Sequence, residues 1–120
     1  MMVLVDTSVW IDHLRHGDPA LASALEEGNV LTHPLVIGEL ACGTLRRRAE
    51  ILRLLSELPQ APVASNAEVL VFIERRQLMG RGIGFVDAHL LASITLAGSA
   101  RLRTSDRRLA LIARQLEREQ

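Results

Sequence analysis

Apolar residues follow two rhythms along this 120-residue chain. Short unbroken apolar runs alternate with longer stretches in which apolar residues return every three or four positions. The first rhythm is that of strands buried on both faces, the second that of helices with one packed side. "MVLVD" reads as a short buried strand of a parallel sheet. Ser8 or Thr7 can cap the helix "VWIDHLRHG", which Gly17 ends. Pro19 stands near the start of a second short helix, "PALASALEEG". "NVLTH" is the next strand, and Pro34 opens the helix "PLVIGELACG", stopped by Gly43. "TLRRRAEILRLLSEL" is amphipathic through Leu45, Ile51, Leu52, Leu55 and Leu58. "APVA" is a brief extended segment. Ser65 and Glu68 form a capping box for "SNAEVLVFIERRQLMG". After a loop holding Gly80, Gly82 and Gly84 come the helix "FVDAHLLASITLAG", the strand "ARLRT" and the helix "SDRRLALIARQLERE".

Strands alternating with helices predict an α/β class: a three-layer α/β/α fold around a mostly parallel sheet of about four or five strands. The length predicts one domain over residues 1–120. In such sheets ligands sit beyond the carboxyl ends of the strands. Asp6, after "VLV", and Asp106, after "RLRT", lie at such ends.

Composition narrows the chemistry. The formal net charge is zero, so no global field draws the protein to nucleic acid or membrane. All fourteen basic residues are Arg, so side-chain amine chemistry is absent while bidentate phosphate recognition is well supplied. Codon usage in a GC-rich genome accounts for part of that bias. Cys42 is the single cysteine, which excludes a disulfide framework and a thiolate metal site and points to a reducing cytoplasm. The start lacks the basic region of a signal peptide. "AHLLASITLAG" is too short and too polar to span a bilayer, so no membrane association is expected.

Four acids stand apart from the rest. Asp6, Glu39, Asp87 and Asp106 each follow a strand or loop, where the chain would reach one shared rim. Glu26, Glu27, Glu50, Glu57, Glu117 and Glu119 fall on polar faces or near ends, as solvated charges do. Taken singly, Asp6 and Asp106 read as helix caps, Glu39 as an exposed helical residue, and Asp87 as a first-turn acid. Their neighbourhoods, "VLVDTS", "VIGELA", "GFVDAHLL" and "RLRTSD", are apolar, where an ionised group needs a partner. If the four converge, mutual repulsion raises their pKa values unless a cation intervenes. Mg²⁺ suits all-oxygen ligands, keeps several waters, and neutralises charge on a phosphoryl group. The set therefore fits metal-assisted phosphodiester hydrolysis.

Other features weigh less. His13, His16, His33 and His89 lack zinc-site spacing, and "GRGIG" follows a helix rather than a strand, unlike a dinucleotide fingerprint. Ser8 and Thr104 flank the acids and either cap turns or position a carboxylate. Arg46–Arg48, the group Arg75, Arg76 and Arg81, and the Arg residues around Asp106 read as solvated faces; near an acidic metal site they gain a use in holding an anionic polymer. Scarce aromatics argue against base-stacking platforms.

With these motifs in place, the chain resembles the PIN-domain ribonucleases, specifically the VapC toxin family of toxin–antitoxin modules. "VLVDTSVWIDHL", "HPLVIGELACG", "GFVDAHLLAS" and "RLRTSDRRL" match the family's four acid-bearing motifs in order across essentially the whole chain. The resemblance implies a PIN-like fold, with Asp6 and Asp87 as principal metal ligands. Glu39 and Asp106 would complete the cluster directly or through water, with Ser8 and Thr104 at the family's supporting hydroxyl positions. It implies Mg²⁺- or Mn²⁺-dependent endonucleolytic cleavage of RNA, such as tRNA. It also implies a homodimer, inhibition by a VapB-type antitoxin, and binding of operator DNA only through that antitoxin. One departure stands out: "ARQLEREQ" reads as helical to its end, where many relatives continue into a further strand.

Three alternatives fit the chain less well. A phospho-acceptor receiver domain needs an acid pair and a Lys, and this chain has no Lys. A catalytically silent PIN-fold interaction protein would have no need of all four acids. A DNA-directed nuclease is the nearest catalytic rival.

Overall fold

In a computed structural model, which describes residues 1–119, the chain runs β1 (Val3–Val5), α1 (Thr7–His16), α2 (Pro19–Glu26), β2 (Val30–Leu31), α3 (Pro34–Cys42), α4 (Arg48–Ser56), α5 (Asn66–Arg76), α6 (Phe85–Ala97), β3 (Arg101–Arg103) and α7 (Arg107–Arg118). The sheet is parallel throughout, in the order β2-β1-β3. Successive strand residues point to opposite faces. Leu4 and Val5 are both fully buried, so helices cover both faces of the central strand and the expected layering holds.

The sheet is narrower than expected. It has three strands among the described residues, not four or five. "APVA" forms no strand; the neighbouring Gln60 makes one isolated parallel bridge to Thr32. Thr32 N–H donates to the Pro59 carbonyl and Ala61 N–H to the Thr32 carbonyl, at 2.9 and 2.8 Å. Pro59 and Pro62 flank this bridge, and neither has an N–H with which to extend a ladder. No strand follows α7 among the described residues. The helical reading of the terminal Gln120 lies outside them.

Helix boundaries follow the sequence signals closely, with two exceptions. The cap of α1 is Asp6, not Thr7 or Ser8: its Oδ1 accepts from Thr7 N–H at 2.7 Å. The long amphipathic segment starts as a helix only at Arg48, because Arg47 turns into the left-handed region (φ 55°) with no side-chain cap. The capping box of α5 forms as read, with reciprocal bonds between Ser65 and Glu68.

Helix α6 is buried on nearly every side from Ala88 to Ile94. It is the interior helix of the molecule, and Asp87 rides on its first turn. In α7, Leu109, Ile112, Ala113 and Leu116 recur at helical spacing and are buried. That face fixes the opposite one, so Arg107, Arg108, Arg114 and Arg118 are exposed.

Candidate functional site

β1 is the middle strand, so its carboxyl end is the centre of the rim. Asp6 emerges there and is 7% exposed. Its Oδ2 accepts from Thr104 Oγ1 at 2.6 Å and from Ser8 Oγ at 3.0 Å. Two hydroxyls and one backbone N–H thus compensate its buried charge, and Oδ1 retains acceptor capacity. The hydroxyls are themselves fixed: Ser105 N–H donates to Ser8 Oγ and Asp106 N–H to Thr104 Oγ1, each at 3.1 Å. Asp6 N–H donates to the Arg103 carbonyl at 3.0 Å, tying the ends of β1 and β3 together.

Asp106 caps α7 through Oδ1, which accepts from Arg108 and Leu109 N–H at 2.9 and 3.0 Å. Glu39 lies exposed on α3, and its Oε1 accepts from Thr7 Oγ1 at 2.6 Å. Asp87 Oδ2 accepts from Gly84 N–H at 3.1 Å. One pattern runs through Glu39, Asp87 and Asp106: protein donors orient one carboxylate oxygen, while no hydrogen bond among the described residues takes the other.

The four acids act on one another. Burial raises the Asp87 pKa, the Gly84 N–H opposes that rise, and the negative charges of Asp6, Asp106 and Glu39 then add to it. Asp6 and Asp106 are thus helix caps whose charges also reach Asp87. Among the described residues, no three of these side chains close into a ready ligand cluster. Asp6, Glu39 and Asp106 do lie near enough to Asp87 for their charges to act on it. That arrangement fits a hydrated Mg²⁺, which takes one or two carboxylates directly and reaches others through its waters.

The Gly-rich loop before α6 is clamped onto α7. Arg81 donates to Gln115 Oε1 at 2.9 Å, and the Arg108 side chain lies so close to Gly82 that a Cβ there would sit 2.5 Å from its guanidinium. Gly82 also has φ +83°, a conformation that side-chain-bearing residues rarely adopt. The clamp holds the start of α6, and so Asp87, against the helix that Asp106 caps.

Sequence reading missed Thr7, whose hydroxyl orients Glu39, a residue 32 positions away. It also missed His33. This buried imidazole caps α3, with Nδ1 accepting from Leu35 N–H at 3.0 Å. Burial, and then the nearby His89, lower the His33 pKa and keep it neutral. A neutral cap suits a helix that carries an acid toward an already negative rim. The residue before Pro34 was the only local signal for this cap.

Thr104 supports Asp6 through its hydroxyl. Replacing it by Val, which keeps its shape, is expected to remove that bond and lower Tm by a few degrees, and Thr104→Ser should restore the wild-type value. Thermal unfolding of the two variants checks this.

Parallel strands flanked by helices, with acids at the carboxyl end of the central strand and at the head of a buried helix, define a class of α/β domain. Residues 3–115 match the PIN domain family, and the chain belongs to that family, within its VapC group. It is 53% identical over 108 residues to Ribonuclease VapC32 of Mycobacterium tuberculosis, in strains CDC 1551 / Oshkosh and ATCC 25618 / H37Rv. The alignment covers 90% of this chain and 87% of each relative.

Proposed function

We propose that this protein, as one PIN domain, is a divalent-metal-dependent endoribonuclease and the toxin of a toxin–antitoxin pair. The observation that carries the reading is the gathering of Asp6, Glu39 and Asp106 near enough to Asp87 for their charges to add to the rise that burial produces in its pKa. Such a field is costly without a cation and useful with one. The kinship with a protein named as a ribonuclease supplies the substrate class.

In this reading Asp6 and Asp87 hold Mg²⁺, which Mn²⁺ can replace, and Glu39 and Asp106 complete the site directly or through water. The ion supplies charge neutralisation at the scissile phosphate and an oriented water. The chain's own residues supply the geometry. Ser8 and Thr104 hold the Asp6 carboxylate through its Oδ2. Thr7 holds the Glu39 carboxylate through its Oε1. The Gly84 N–H fixes the face that Asp87 presents. Exposed Arg side chains offset the repulsion between an acidic rim and RNA phosphates.

The family context adds a VapB-type antitoxin as inhibitor, a homodimer as the assembly, operator DNA reached only through the antitoxin, and a cytoplasmic location. No helix among the described residues is long and apolar enough to cross a membrane.

The deciding experiment is cleavage of total cellular RNA, with tRNA as one component, in Mg²⁺, in Mn²⁺ and in EDTA. Cleavage is expected with either ion and is expected to vanish in EDTA. Metal-independent cleavage would overturn the mechanism. Preference for DNA in a competition between the two polymers would reassign the substrate. Absence of cleavage of either polymer would leave a silent interaction protein.

A further inference from the structure

A second feature opens onto the same rim from the opposite side to Glu39. Between the outer edge of β3 and α7 runs a groove of about 600 Å³, lined by Arg101, Arg103, Arg114 and Arg118. Thr104, the residue after β3, also lines it and is hydrogen-bonded to Asp6. The groove therefore runs from the acidic centre outward along β3, over roughly 10 Å at the rise of an extended strand.

Three of its four charges are not spent on the fold. Arg103 is paired with Asp18 across the start of α2. Among the described residues, no salt bridge engages Arg101, Arg114 or Arg118. All three are exposed. Arg114 and Arg118 are four residues apart on α7 and share one face, while Arg101 faces them from the strand. Favourable interaction with the helix end accounts for Arg118, in the last turn, but not for the other two. The one acid in the groove, Glu117, is turned to the sheet, where its Oε2 accepts from Leu102 N–H at 3.2 Å. That bond also occupies an outward backbone donor of the edge strand, which disfavours an added peptide strand as occupant.

We propose that this groove is a track for the RNA backbone, binding phosphates adjacent to the one cleaved at the acidic rim. The proposal rests on the ribonuclease reading and goes beyond it by assigning a path to the substrate. A chain of zero net charge gains no affinity for RNA from its global field. Cations gathered in one groove beside the site provide it locally, and forked guanidinium groups suit phosphate oxygens. Counterion release gives the scale. For single strands the slope of log K against log salt is about −0.7 per phosphate neutralised, or roughly fivefold in affinity per contact at 0.1 M salt.

The test uses the variant Arg101→Gln/Arg114→Gln/Arg118→Gln, with Arg53→Gln/Arg75→Gln as a control at exposed Arg residues elsewhere. Binding of a labelled 12-nucleotide RNA is measured in EDTA across a salt series, and cleavage of the same RNA and of a dinucleotide is measured in Mg²⁺. The groove variant should bind the 12-mer about 100-fold more weakly at 0.1 M salt, with a slope shallower by about 2. It should keep the wild-type melting temperature and cleave the dinucleotide, which is too short to enter the groove, within twofold of wild type. The control should bind within twofold of wild type. Unchanged binding and slope in the groove variant would overturn the proposal, as would equal loss of dinucleotide cleavage. Loss of affinity for an acidic peptide with RNA binding intact would overturn it in favour of a protein partner. Arg-dependent RNA binding by a wild-type protein that cleaves nothing in Mg²⁺ would sustain the groove and bring down the ribonuclease reading instead.

Discussion

Asp6→Asn is expected to reduce Mg²⁺-dependent RNA cleavage by at least 10² to 10³, roughly 3–4 kcal/mol of transition-state stabilisation. The change is nearly isosteric and removes one charge from the most buried of the four acids. The amide oxygen can still accept from Ser8 and Thr104, whose hydroxyl protons rotate to suit. The new NH₂ group, however, faces the Thr7 N–H that Oδ1 now accepts, so two donors meet. A stability loss of about 1 kcal/mol follows, which for a chain of this size is a few degrees in Tm. Activity and stability thus separate: cleavage collapses while the fold persists. Single-turnover cleavage alongside thermal unfolding reads both. An Asp6→Asn protein that cleaves RNA at the wild-type rate would remove Asp6 from the chemistry.

Asp87→Asn is the complementary case, because its two effects have opposite signs. Cleavage should again fall by 10² or more. Metal-free stability near neutral pH should not fall, and Tm should equal or exceed that of wild type. The sign follows from linkage. Asp87 has a folded-state pKa above its ordinary value of 3.8, through burial first and then the Asp6, Asp106 and Glu39 charges. Its contribution to stability is complete below the unfolded pKa and is lost as pH rises through the folded one. At neutral pH the ionised carboxylate carries a desolvation cost and then repulsion, which together outweigh its bond from Gly84; Asn removes the charge while still accepting from Gly84. Mg²⁺ should raise the Tm of wild type and have a much smaller effect on Asp87→Asn. A Tm lower by more than about 4 °C in metal-free buffer would make Asp87 a structural cap.

What the sequence disclosed and what it hid divide along one physical line. Signals local in the chain were legible. The apolar run before Asp6, the Ser65–Glu68 box, Pro34, Gly17 and the helical spacing of Leu109, Ile112 and Leu116 each describe neighbours within a turn or two. The four acids were legible because each followed such a signal. Contacts between distant residues were not. Nothing around Thr7 announces Glu39, and nothing around Asp18 announces Arg103, 85 positions away. The fourth strand was misread for a different reason. The apolar character of "APVA" suits a strand, but ladder formation depends on N–H donors, and the two prolines remove them. Likewise the amphipathic pattern of α4 reached back to Leu45, while the backbone at Arg47 had already turned the other way.

The two borders of the sheet are finished differently from its centre. Beyond β2 the neighbouring segment carries Pro59 and Pro62, and beyond β3 the Leu102 N–H is held by Glu117. Neither border offers the row of open donors and acceptors on which foreign strands stack into fibres. A sheet sealed at both margins thus carries its own protection against copies joining edge to edge.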